Sequence, residues 1–185
     1  VAETFTISVD GRVAASWPAR IEIDQVPEVE FTQPPKSQGR GLLRLEFQAT
    51  DDFGLAGMNM TIRNSKGWPM PGGDKELKIG LPLPSLGASE VTGTSSQDLT
   101  AHPWAGTAVE LFLNAADSAG QRGTSAAVNV ILPERTFNHP VARAIIVARK
   151  KLNQPGRKAV LDAVRDIEQI AERPAHFYEN TIVFL

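Results

Sequence analysis

The stretch at residues 42–62, LLRLEFQATDDFGLAGMNMTI, constrains the fold more than any other part of the chain. Leu43, Leu45, Phe47 and Ala49 fall on one side of an extended chain, and Arg44, Glu46 and Gln48 fall on the other. Successive side chains of a strand point to opposite faces, so this period of two predicts a half-buried strand; a helix would scatter the same residues around its axis. Asp51 and Asp52 can hydrogen-bond nearby amides and Gly54 accepts positive φ, so a tight reversal is expected there. It leads into a second strand with Met58, Met60 and Ile62 on one face. The same grammar recurs at Val109, Leu111, Leu113 and Ala115, then Asp117, Ser118 and Gly120 in a turn, then Val128, Val130 and Leu132. The two segments are expected to be matched hairpins around one core.

Seven strands are expected between Pro27 and Pro133, at residues 28–31, 42–50, 55–63, 76–80, 97–100, 107–116 and 126–132. Seven short strands in a little over a hundred residues fit an immunoglobulin-like β-sandwich, which takes about 100 residues. Residues 67–74 and 82–96 are rich in Gly, Pro and Ser and are expected to be loops. Upstream, Phe5, Ile7 and Val9 alternate with polar residues up to Asp10-Gly11, a strong hairpin signal, after which Val13, Ala15 and Trp17 resume the rhythm. This extra N-terminal β-hairpin is either the tail of a preceding module or an added pair of strands. The expected organisation is therefore residues 1–24 hairpin, 25–133 sandwich and 134–185 helical segment.

Beyond Pro133 the spacing turns helical. His139 before Pro140 reads as a helix start, with Val141, Ile145, Ala148 and Leu152 on one face. A break at residues 153–156 precedes a second stripe at Val160, Val164, Ile167 and Ala171, and a third helix is possible from Ala175. Both stripes need a partner: the sandwich, each other, or a continuation of the chain.

Chemistry is thinly represented. There is no Cys, hence no disulfide, thiolate or zinc-cysteine site. His102, His139 and His176 lack metal-binding spacing, and no serine, histidine and acid grouping has the spacing of a catalytic set. Gly72-Gly73-Asp74-Lys75 lacks P-loop spacing and reads as a hairpin loop. Asp51, Asp52 and Asp117 would converge if the two acidic bends lay at one end of the sandwich, and carboxylates with loop carbonyls suit calcium; the alternative is that they shape turns. No cofactor is expected.

The formal charge of −2 argues against nucleic acid as the main partner. Residues 140–173 nevertheless hold eight Lys or Arg against four acids. Within them Arg149, Lys150, Lys151, Arg157 and Lys158 are candidates for an acidic partner or anionic lipid heads, the ordinary alternative being a solvated helix face. Trp17 and Trp104 are expected to be buried as core or junction plugs, whereas Trp68, in NSKGWPMPGG, is a candidate contact residue. The start at Val1 and the apolar end NTIVFL suggest a piece of a longer protein of unknown oligomeric state, without a membrane span of its own.

Four passages carry a family resemblance: Trp17-Pro18 through IEIDQVPEVEF, the bend ATDDFGLAG, the stretch HPWAGTAVELFLNAADSAGQRG, and ILPERTFNHPVARAIIVARKKL. In this order they resemble an uncharacterised family of long, membrane-anchored alphaproteobacterial proteins, a domain-of-unknown-function family. The resemblance covers nearly the whole chain. It implies a membrane region before Val1, a sandwich and helices in the periplasm, and a mostly helical continuation; it brings no activity and no functional residue. The expected role is a non-catalytic periplasmic interaction or spacer module of an inner-membrane protein, with protein partners in the cell envelope. The alternatives are a calcium-stabilised adhesion-type module and the accessory domain of an envelope enzyme whose active site lies elsewhere.

Overall fold

A computed structural model describes residues 2–39, 41–70 and 73–172. His176 and the third helix expected from Ala175 lie outside the described residues. β1 (Ala2–Val9) and β2 (Arg12–Arg20) form a two-stranded antiparallel sheet. Its turn is Asp10-Gly11, both at positive φ, as a two-residue hairpin loop requires.

The remaining strands form one curled seven-stranded sheet: β3 (Glu28–Gln38), β4 (Leu42–Asn64), β5 (Glu76–Leu81), β6 (Ala88–Asp98), β7 (Ala108–Asp117), β8 (Arg122–Thr124) and β9 (Val128–Ile131). α1 (Pro140–Leu152) and α2 (Arg157–Glu172) follow. The architecture is thus mainly β, with an N-terminal hairpin, a sandwich and two helices.

The acidic bend does not close a hairpin, contrary to the expected reversal. Residues 42–64 are one strand whose halves never pair with each other. Residues 42–50 lie between β3 and β6, whereas residues 55–64 lie between β5 and β7. β4 therefore leaves one layer at Asp51 and enters the other at Leu55, and the sheet curls into a two-layer sandwich. Flanking segments in opposite layers are the immunoglobulin-like arrangement at the turn between the second and third strands. Gly54 makes the crossing possible: its φ is +100°, and a Cβ there would collide with the Gly87 carbonyl oxygen. The second acidic segment is a true hairpin, with Ala116 paired to Arg122 and the Gln121 amide donating to Asp117 Oδ1 at 2.8 Å.

Between the layers Leu43, Leu45, Phe47 and Ala49 meet Met60, Ile62, Val109, Leu111 and Leu113, all essentially without solvent contact. The expected loop at residues 82–96 is mostly β6, whose inward positions are Val91, Gly93, Ser95 and Gln97. With one large apolar residue among the four, the alternation is invisible in the sequence. The geometry explains the choice: a Cβ on Gly93 would stand 2.7 Å from the Phe47 ring. The first strand runs past Phe31 to Gln38, passing Pro34 and Pro35 through two bulges, and the last shortens to β9, preceded by the unexpected short strand β8.

The Nδ1 of His139 accepts the Val141 amide at 3.2 Å, capping α1 as the sequence suggests. At its other end α1 is fastened to the loop before β7, because Asn153 Nδ2 donates to the Pro103 carbonyl at 2.6 Å and Arg149 Nη2 to that of Ala105 at 3.0 Å. α2 lies against α1, and its buried positions are Ala159, Ala163 and Ile170, the two alanines being small enough to let helices approach closely. Its expected stripe of Val160, Val164 and Ile167 faces solvent instead.

Candidate functional site

The crossing of β4 brings the two acidic bends to one end of the sandwich. Both carboxylate oxygens of Asp52 face the Gln25 amide at 3.3 Å, and the Gln25 carbonyl accepts from Gln121 Nε2, next to the Asp117 turn, at 3.5 Å. The bends thus flank the segment that joins the hairpin to β3. Asp51 and Asp117 are only 7% and 5% exposed. In each, one oxygen accepts a turn amide, from Phe53 and Gln121 respectively, while the other is buried without a donor. Their hydrogen bonds give the acids a turn-shaping role. Among the described residues no three His, Cys, Asp or Glu side chains come together as a metal-holding group.

The basic cluster on the helices is largely committed to internal contacts. Arg149 reaches backbone carbonyls, Lys150 pairs with Glu134 at 2.7 Å, and Lys151 pairs with Asp166 at 2.5 Å. Gly106 permits the second contact, since a Cβ there would occupy the space of the Glu134 carboxylate. Arg157 and Lys158, at the start of α2, are exposed. The same docking surface holds His102, whose Nδ1 accepts the Trp104 amide at 3.2 Å. Burial, helped by the nearby Arg149 guanidinium, holds its imidazole below the ordinary value of 6.5, so the neutral acceptor form is favoured.

Trp68 is half-buried, with Lys66 Nζ 4.6 Å above its ring. Trp104 is fully buried, as expected. Trp17 corrects its expectation at 48% exposure: it lies beside Phe5, itself exposed, on the hairpin, at 6.1 Å between ring centroids. Phe5, Ile7, Val9 and Val13 are exposed on the same hairpin. Alternation announced an apolar hairpin face; only tertiary structure shows that this face is open.

A cleft of about 560 Å³ runs beside β3 and β8, lined by Glu28, Glu30, Gln48, Arg122 and Thr124 among others. No described helix is long and apolar enough to cross a membrane.

A family model described only as a domain of unknown function matches residues 1–185. No curated protein matches the chain. Among solved structures, the crystal structure of the sulfane dehydrogenase SoxCD from Paracoccus pantotrophus is 16% identical, with a TM-score of 0.37, over 63% of this chain and 27% of that one. The chain therefore spans little more than a quarter of that protein's length.

Proposed function

The chain belongs to the family named Domain of unknown function (DUF4175), and we propose that it is a non-catalytic interaction or spacer module of a larger, inner-membrane-anchored protein, and that it works in the periplasm. The observation that carries the reading is a pair of open apolar faces, on the hairpin before a well-packed sandwich and on a helix after it. One is the hairpin face of Phe5, Ile7, Val13 and Trp17; the other is the α2 stripe of Val160, Val164 and Ile167. Neither side is needed to close the core, which is complete between the two layers of strands. Contiguous exposed apolar surface rimmed by polar residues marks an interaction site more often than it marks a stable solvent face. The compartment rests on the resemblance carried by the four sequence passages.

The test is capture of partners from envelope extracts by the intact parent, compared with a parent lacking residues 25–133 and with one carrying Val164→Asp and Ile167→Asp. Partner loss in either variant, with the substituted chain still melting normally, supports an interaction role. A partner set unchanged in both variants leaves only the spacer role. Turnover of a substrate that survives only when residues within 25–172 are intact would overturn the reading.

A further inference from the structure

A sandwich has four sheet edges, and an unpaired edge presents a row of amides and carbonyls ready to pair with another strand. Three of the four edges here are guarded. β3 carries Pro34 and Pro35, Lys36 and two bulges. β5 is only six residues long and bears Lys78 beside the Arg63–Glu76 ion pair. The far edge of β7 is occupied by β8 and β9, pieces of three and four residues that offer no long ladder. β6 has none of these devices. It runs for eleven residues, ASEVTGTSSQD, without Pro, Lys or Arg, and its pairing with β4 is uninterrupted from Glu90 to Asp98. Among the described residues β4 is the one strand with which it pairs.

We propose that the free edge of β6 pairs with an extended, cation-bearing segment of a partner protein, which adds a fourth strand to the β3–β4–β6 layer. The inference rests on the interaction reading above and names a surface for it. The charges select the occupant. The edge carries Glu90 at one end, exposed and with no cation on the strand to answer it, and Asp98 at the other, where the Thr100 amide and hydroxyl donate to the carboxylate and Arg135 acts on it. A second copy of β6, paired antiparallel about Thr94, would set Glu90 of each copy opposite Asp98 of the other, and like charges directly opposite are destabilising. A segment with Lys or Arg at the position that meets Glu90 answers the open acid, whereas a cation at the other end adds little beside Arg135. Main-chain hydrogen bonds give such pairing its affinity, and the Thr and Ser side chains of the exposed face tolerate many sequences.

The probe is a nonapeptide of alternating Thr and Val with Lys at both ends, added to the full chain while amide exchange is followed residue by residue. Expected is at least a ten-fold slowing of exchange at alternate amides of residues 90–98. N-methylation of every second amide in the peptide should abolish this in one phase of the alternation and leave it intact in the other. Replacing both Lys by Glu should weaken binding severalfold at low salt. Protection that appears elsewhere, or that survives N-methylation in both phases, overturns the proposal, as does absence of any effect at millimolar peptide. A chain that dimerises by itself, with β6 amides protected in the dimer, would hand the edge to a second copy. Should β6 stay unpaired while the α2 variants still lose partners, this inference fails and the interaction reading stands.

Discussion

At the scale of single residues, the molecule depends on side chains that are absent as much as on those present. Gly93 faces the Phe47 ring so closely that any Cβ forces one of them to move. Overpacking of this kind costs about 1–3 kcal/mol, so Gly93→Ala is expected to lower stability by that amount and Gly93→Val by more, measured by urea unfolding. A second residue-scale prediction concerns His102. Its imidazole is depressed below 6.5 in the folded chain, so below that pH the unfolded chain binds a proton that the folded chain resists. Stability is therefore full above 6.5, falls as pH drops below it, and levels off once the folded imidazole also protonates. Melting temperatures between pH 7.5 and 5.5 should show this decline in the natural chain and a shallower one in His102→Asn, whose Oδ1 can take the Trp104 amide in place of Nδ1. Equal slopes would remove His102 from the account.

At the scale of elements, what the sequence reveals depends on whether burial is written in large apolar residues. β4 and β7 were legible because their inward positions are Leu, Phe, Met, Ile and Val, and so was the Asp10-Gly11 turn, whose chemistry is local. β6 was not, because small inward residues make room for a ring on the facing strand. The bend at Asp51 was legible as a bend, but whether it reverses the chain or passes it to another layer depends on Gly87, more than thirty positions away. The same limit applied to the candidate site. Acid pairs and a basic run can be read from the chain, yet the ion pairs that consume Lys150 and Lys151 are tertiary facts. α2 gives the sharpest reversal: its apolar stripe invited burial, and the buried face is the neighbouring one built on Ala159 and Ala163. Adjacent positions should therefore respond in opposite ways. Ala163→Asp would bury a carboxylate without a partner and is expected to cost about 3 kcal/mol or more, whereas Val164→Asp, on the open stripe, should change stability by less than about 0.5 kcal/mol. Loss of helical circular dichroism on heating, compared between the two variants, checks this directly.

At the scale of the whole molecule, the hairpin and the sandwich differ in what holds them. The sandwich closes a core between layers, whereas among the described residues β1 and β2 pair only with each other and expose the aromatic pair of Phe5 and Trp17. A lone two-stranded hairpin is marginal in water, and three or more strands or a covering element are needed for independent stability. Its link to the sandwich runs through Gln25, whose amide faces Asp52 and whose carbonyl meets Gln121. Those contacts belong to the sandwich end and survive removal of residues 1–23. Deleting the hairpin is accordingly expected to leave the free energy of unfolding of the sandwich in urea unchanged within about 0.5 kcal/mol, a surface-sized effect. In the intact chain, exchange at β1 and β2 amides should be orders of magnitude faster than at the central amides of β4 and β7, because local openings of weakly held segments cost far less than global unfolding. The two tryptophans give an independent reading: acrylamide should quench Trp17 readily and Trp104 hardly at all, since one is half exposed and the other fully enclosed. A partner that covers the hairpin would slow its exchange and shield Trp17 together without touching the sandwich. If deletion of the hairpin instead collapsed the sandwich, the two would form one cooperative unit, and the Phe5–Trp17 face would no longer be a surface held open for another molecule.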